Sequence, residues 1–188
     1  MSRSFAKTDS MTGVDTVITY EHHEIHGGSF FATGAADLAM GDTETLILAF
    51  KTPAGTKRIH LIMGYQTLVG GDLALHEGAT WDVSTGTQNP IYNHLRQTTM
   101  ASSILLESTG GSFVASDNVQ LNPTNFSAGT IIHHFYAFGD KGKVAGGGSR
   151  GTEEVILKPD TTYAVVFTAD GASNKAHVIL DWYEHTDA

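Results

Sequence analysis

The chain has no cysteine, only 4 prolines and no apolar run close to the length of a membrane span. The absence of cysteine excludes a disulfide framework, a thiolate metal site and a cysteine nucleophile. A membrane-spanning helix needs about 20 consecutive apolar residues, which no segment supplies. Residues 1–7 also lack the continuous apolar core of a secretory signal. We therefore expect a protein that is made in a cytoplasm, where it stays or from which lysis releases it, with no membrane partner.

Positive charge is also scarce. Lys and Arg total 11 against 20 for Asp and Glu, which gives a formal net charge of −9, and charged residues make up only 16% of the chain. Contacts to nucleic-acid phosphates need clustered Lys and Arg, so we expect no direct nucleic-acid binding. The surface must rely on Ser, Thr, Asn, Gly and His, a composition typical of β-rich proteins that assemble.

Short apolar bursts recur along the chain and are separated by clusters of Gly, Asp, Asn or Pro, with 21 glycines in total. This pattern is typical of strands joined by turns. It predicts an all-β fold, a single β-sandwich or jelly-roll-like domain over residues 16–188, preceded by a flexible arm over residues 1–15. Residues 90–100 could hold a short helix or a loop, and residues 139–151 are expected to form a long mobile loop. The predicted strands are 17–20, 29–32, 45–50, 58–63, 73–76, 103–106, 131–138, 155–157, 163–168 and 177–183.

Strict alternation in the last two strands predicts which side chains face the core. Tyr163, Val165 and Phe167 share one face of their strand. In the final strand, Trp182 lies on the face opposite Tyr183. The segments 46–50 and 59–63 are more continuously apolar than the other strands and are expected to be covered on both sides.

Two polar phrases that both contain Tyr-Glu-His lie in segments that we predict as strands, Tyr20–His26 and Asp181–Thr186. On a strand, His22, Glu24 and His26 would share one face, with His23 on the other. Such a set could hold Zn, Fe or Mn in a cupin-like metalloprotein. The alternative is a polar strand face that is hydrogen-bonded to a neighbouring strand or subunit, and we favour that alternative. We expect no bound metal and no cofactor.

The other chemical motifs are incomplete. A serine hydrolase elbow, Gly-x-Ser-x-Gly, is absent. Gly146–Gly148 with Arg150 lacks the Lys-Ser/Thr that a phosphate-binding loop requires. Trp182 and Tyr183 lie on opposite strand faces, which argues against a flat platform for sugar stacking. His133 and His134 are expected to face opposite sides, with Ile131 and Phe135 on one of them. His60 and His76 are expected to be half-buried and satisfied.

The phrases Tyr-Glu-His-His-Glu-Ile-His at residues 20–26 and Trp-Tyr-Glu-His-Thr at 182–186, with Lys158-Pro159-Asp160 and the Gly147-Gly148-x-Arg150 loop, resemble a family of tailed-bacteriophage virion proteins. The resemblance covers the chain from about residue 20 to the C-terminus. It implies a β-sandwich or jelly-roll capsid decoration (cement) protein, which typically forms trimers on the outside of the head. It supplies no catalytic residues to carry over.

We therefore expect a non-enzymatic structural protein of the virion that binds the outer capsid surface, with the major capsid protein and further copies of itself as partners. The residues predicted to take part in assembly are Tyr20, His22, His23, His26, Arg150, Tyr183, Glu184 and His185. Two alternatives remain open, a tail or head-fibre module that binds host-surface glycans and the cupin-like metalloprotein. Closely packed histidines at an interface would also make assembly sensitive to pH near 6.

Overall fold

The structure is a computed structural model that describes residues 7–8, 15–16, 20–82, 85–108, 112–137, 145–147 and 154–186. Most of the predicted arm over residues 1–15 lies outside this range. The helix is α1 (Tyr20–Gly27), and the strands are β1 (Lys7–Thr8), β2 (Asp15–Thr16), β3 (Phe30–Met40), β4 (Thr45–Lys51), β5 (Lys57–Thr67), β6 (Gly71–Glu77), β7 (Thr87–Pro90), β8 (Tyr92–Asn93), β9 (Leu105–Ser108), β10 (Ser112–Ala115), β11 (Asn118–Leu121), β12 (Thr130–Ala137), β13 (Ala145–Gly147), β14 (Val155–Ile156), β15 (Thr162–Ala169) and β16 (Asn174–Thr186).

Two antiparallel sheets pack against each other, which confirms the predicted all-β sandwich. In the described residues, sheet I has the strand order β13-β5-β16-β3-β8, with β14 also paired to β5. Sheet II has the order β10-β9-β4-β15-β6-β12, and β11 connects β4 to β7. A separate two-stranded ladder joins β1 to β2. No helix in the described part of the chain is long and apolar enough to cross a membrane.

The main core lies between the two sheets and follows the predicted alternation. Tyr163, Val165 and Phe167 of β15 are all completely buried. From sheet I, β16 contributes Val178, Leu180 and Trp182, each no more than 1% exposed. Burying a large apolar side chain contributes roughly 1.5–3 kcal/mol, so these facing strands supply much of the energy of folding.

A second, smaller cluster covers the outer face of sheet II. Trp81 lies there with Phe113, and their ring planes are almost perpendicular at a centroid distance of 6.4 Å. Beneath them are the outward-facing residues Ile47, Ala49, Ala164 and Val166. Sheet II is therefore apolar on both faces in its centre, which explains why residues 46–50 are continuously apolar.

Of three predictions about local structure, two were wrong and one that left two alternatives open is now decided. Tyr20 does not end a strand but begins helix α1. Residues 90–100, for which a short helix and a loop were both left open, contain no helix, and Tyr92–Asn93 forms a short strand on the edge of sheet I. The Gly-rich segment, of which only 145–147 is described, contributes strand β13 to sheet I instead of forming loop throughout.

Candidate assembly surface

The first Tyr-Glu-His phrase is helical, which corrects the prediction that it forms a strand. The chain leaves α1 through Gly28, whose φ of 76° is in the left-handed region that glycine adopts most easily. The Gly28 amide donates to the Ile25 carbonyl at 3.1 Å, and the Ser29 amide donates to the Glu24 carbonyl at 3.0 Å. This pair of bonds is a Schellman cap. The Gly27-Gly28 pair after the phrase was the sequence signal for a helix end.

Helical geometry rearranges the side chains that were predicted to share a strand face. His22 and His26 lie one turn apart, and both are exposed. Glu24 lies elsewhere on the helix, only 8% exposed, and its carboxylate accepts a hydrogen bond from the Ser29 hydroxyl. His23 is exposed, with Nδ1 3.4 Å from Glu24 Oε1. The three-residue face of His22, Glu24 and His26 does not form, and the described residues contain no group of three or more possible ligands positioned around one metal.

The second Tyr-Glu-His phrase is part of strand β16, as predicted. Trp182 points into the core, where its ring stacks on Phe31 at 5.9 Å between centroids. Tyr183 lies on the outer face of sheet I but is only 5% exposed. Because both rings are buried, Trp182 and Tyr183 do not form an aromatic platform on which a sugar could stack.

Tyr183 is covered by polar side chains on the outer face of sheet I. We call the group the Tyr183 cluster, and its members are His60, Glu154, Tyr183 and His185. Glu154 Oε1 accepts the Tyr183 hydroxyl at 2.8 Å and lies 2.6 Å from His60 Nδ1. The His60 and Tyr183 rings stack at 4.4 Å, and His185 meets the edge of His60 at 6.0 Å. His60 was predicted to be half-buried and satisfied, but it is only 8% exposed, and the described residues supply no hydrogen-bond partner for its Nε2.

Glu184 points between the two sheets instead of outward. Its Oε1 accepts hydrogen bonds from the Ser102 hydroxyl and the Ser103 amide, both at 2.7 Å. Trp182 Nε1 is 3.4 Å from the same oxygen, and Lys57 Nζ is 3.6 Å from Oε2. Residues 102–103 lead into β9 of sheet II, so this carboxylate connects sheet I to sheet II.

The edge of sheet II exposes apolar side chains on strand β12. Antiparallel pairing with β6 places Ile131 opposite His76 and Tyr136 opposite Asp72, on the outer face of the sheet. A bulge between Ile131 and His133 inserts Ile132 as an extra residue. Ile131, Ile132 and Tyr136 are 51%, 40% and 63% exposed, and we call these three residues the β12 patch.

The bulge also corrects one prediction about side-chain faces. Phe135 pairs with Leu73 and packs on the main core, whereas Ile131 faces outward. The two residues therefore do not share a face, because the extra residue interrupts strict alternation. His133 and His134 do lie on opposite faces, and His134 Nε2 is 2.8 Å from Asp72 Oδ2.

Three titratable groups near this edge have shifted pKa values. Burial lowers the pKa of His76, the cross-strand neighbour of Ile131. This residue was predicted to be half-buried and satisfied, but it is only 7% exposed, and no described residue is a hydrogen-bond partner for its Nδ1. Hydrogen bonds from Lys158 and Tyr163 lower the pKa of Glu77. Burial raises the pKa of Tyr163 to about 12, and the hydrogen bond to Glu77 adds to the rise.

The sequence did not reveal Glu154 as the partner of two distant residues, nor the exposure of the β12 patch. Two adjacent isoleucines at 131–132 were a signal for the latter, because successive residues cannot both enter one core. Of the predicted assembly residues, His22, His23 and His26 are exposed, His185 is partly exposed, and Tyr183 and Glu184 are buried. The side chain of Tyr20 and all of Arg150 lie outside the described residues.

Comparison with known proteins does not add a family assignment. No family model matches the chain, and a search of curated proteins gives no match.

Proposed function

We propose that this protein is a non-enzymatic structural component of a tailed-bacteriophage virion, a decoration protein that binds the outer capsid surface and stabilises the shell. The β12 patch is the observation that carries the proposal. It offers three exposed apolar side chains on a strand whose other side pairs with no strand in the described residues. An exposed apolar edge of this kind favours association with another protein.

Three further properties support a role in assembly on the outside of a shell. The −9 charge suits a protein that does not contact the packaged nucleic acid. The two terminal phrases resemble those of phage virion proteins. Binding at many equivalent sites on a shell produces strong overall attachment even when each contact is weak.

In this role the protein contacts the major capsid protein through the β12 patch and bridges neighbouring capsomers, with homotrimers as the unit that binds. The stabilisation is mechanical, because each bridge must break before neighbouring capsomers separate. The chain contributes a rigid sandwich and a binding edge, and no chemical step is required.

Co-sedimentation with expanded, undecorated capsids tests the proposal. We expect saturable binding of the wild-type protein and binding at least about tenfold weaker for Ile131→Lys, since truncating or charging an interface anchor typically costs about 1–2 kcal/mol or more. Ile156→Lys is the matched control, because Ile156 is 57% exposed on β14 of sheet I and the substitution adds the same charge. This control should bind like the wild type.

The results of this experiment test the decoration role and the contact surface separately. A wild-type protein that does not bind capsids refutes the decoration role. If the Ile131→Lys variant binds capsids as well as the wild type does, the decoration role is retained, but the β12 patch is not the contact surface. Specific signals on a glycan array without capsid binding would replace the proposal with the tail or head-fibre alternative.

A further inference from the structure

The exposed side of helix α1 carries two histidines whose ring nitrogens meet. His22 and His26 are both exposed, and their Nε2 atoms are 3.1 Å apart. Their rings approach edge to face, with 4.6 Å between centroids and 76° between planes. The contact follows from helical spacing, because residues four apart lie on the same side of a helix.

The distance between the nitrogens is that of two ligands on one metal ion. Metal–nitrogen bonds to Zn²⁺ are about 2.0–2.1 Å long. Two nitrogens on one ion are then roughly 2.9 Å apart at a right angle and roughly 3.4 Å apart at a tetrahedral angle. The observed 3.1 Å lies between these values.

We propose that His22 and His26 form a bidentate site for a divalent transition metal ion of the imidazole-preferring class, Zn²⁺, Ni²⁺ or Cu²⁺. Water fills the other coordination positions, since the described residues place no third protein ligand beside the pair. The site differs from the three-residue strand site considered from the sequence, because Glu24 is buried and bonded to Ser29. The inference does not depend on the proposed virion role.

Without metal, the same spacing suits a hydrogen bond from the Nε2–H of one neutral ring to Nε2 of the other. For both Nε2 atoms to bind an ion, the donating ring must move its proton to Nδ1. The site therefore forms by a change of tautomer, with no net release of protons from two neutral rings. A chelate across one turn should also stabilise α1, whose C-terminal end is already held by the Gly28 cap.

Calorimetric titration of tag-free protein with Cu²⁺, Ni²⁺ and Zn²⁺ tests the site, with electron paramagnetic resonance of the Cu²⁺ form as a second readout. We expect one ion per chain and a Cu²⁺ signal coupled to two nitrogens. His22→Gln and His26→Gln should each weaken binding at least about tenfold, since even residues that only support a ligand contribute about 10–100-fold. His23→Gln, on the same helix but outside the pair, is the matched control and should bind like the wild type.

Amide hydrogen exchange provides a structural readout. Added Zn²⁺ should slow exchange in α1 of the wild type and of His23→Gln but not of His22→Gln. The proposal is overturned if the wild type binds none of the three ions. It is also overturned if the His22 and His26 variants bind as tightly as the wild type, or if bound Zn²⁺ leaves exchange in α1 unchanged, because the ion would then lie elsewhere.

Discussion

At the scale of single residues, the burial of polar side chains determines how the stability of this protein depends on pH. Tyr163 is completely buried in the main core, and its hydroxyl donates to Glu77 at 3.0 Å while accepting the Lys158 amide at 2.9 Å. Both partners hold the hydroxyl in place. Burial raises the pKa of this phenol to about 12, so the folded protein disfavours the ionised form.

We expect Tyr163 to lower stability at alkaline pH. The pKa of a tyrosine in the unfolded chain is about 10, whereas the pKa of Tyr163 in the folded protein is about 12. The protonated Tyr163 therefore makes its full contribution to the free energy of unfolding below the pKa of the unfolded state. That contribution falls by up to about 2–3 kcal/mol as the pH rises towards the pKa of the folded state. Urea unfolding of the wild type and Tyr163→Phe at pH 8 and pH 11 measures it. The advantage of the wild type over the variant should shrink at pH 11, and an equal difference at both values would contradict the assignment.

At the scale of elements, two glycines end or begin regular structure for different physical reasons. Gly28 caps α1 with a φ of 76°, and a Cβ there would meet side-chain atoms of Leu95 and Thr98 at an ordinary 3.5 Å. Gly71 begins β6 with a φ of 153°, and a Cβ there would collide with the Thr168 carbonyl oxygen of β15. A side chain at Gly28 would strain only the backbone, whereas a side chain at Gly71 would also push strands β6 and β15 apart.

The two alanine substitutions should therefore differ in cost. Gly28→Ala should destabilise the protein by about 1–2 kcal/mol, the energy of placing an ordinary residue in the left-handed region. Gly71→Ala should cost about 3 kcal/mol or more, because β6 and β15 must also move apart. Chemical denaturation of both variants gives the comparison. Equal costs, or a larger one for Gly28→Ala, would show that the collision at Gly71 is relieved without a significant penalty.

At the scale of the whole molecule, the sandwich depends on contacts that join the two sheets. Most of these are apolar, but Glu184 of β16 adds a polar contact to residues 102–103, which lead into β9 of sheet II. Its side chain is 1% exposed, with Lys57 Nζ at 3.6 Å. A carboxylate buried this deeply is stabilising only while its hydrogen bonds are made.

Removal of the acceptor at Glu184 should loosen the packing of the sheets. Glu184→Leu leaves the Ser102 hydroxyl and the Ser103 amide without this acceptor and should cost about 2–4 kcal/mol. Glu184→Gln keeps an amide oxygen and should cost about 1 kcal/mol. Unfolding followed by the fluorescence of the neighbouring Trp182 measures both variants. A Glu184→Leu protein as stable as the wild type would show that the carboxylate adds nothing to the union of the sheets.

Much of the sandwich could be predicted because strand alternation is a local property. The faces of β15 and β16 followed from side chains two residues apart, and the continuously apolar β4 indicated a strand covered on both sides. The Ile131 face could not be predicted in this way, because the bulge that reverses it depends on pairing with β6. Local pattern indicates the regular parts of a sheet, while bulges and edges depend on the neighbouring strand.

The two Tyr-Glu-His phrases show which properties of this protein follow from its sequence and which depend on its tertiary structure. Composition and alternation alone determined an all-β, cysteine-free, acidic protein with Trp182 in the core. The same three residue types are helical at 20–22 and extended at 183–185, because one copy precedes a Gly28 cap and the other pairs with β5. Only the tertiary structure could bring Glu154 to His60 and bury Tyr183 in contact with both. Contacts between residues far apart in the sequence bury Tyr183 and Glu184, whereas His22 and His26 remain exposed and can bind a partner or an ion.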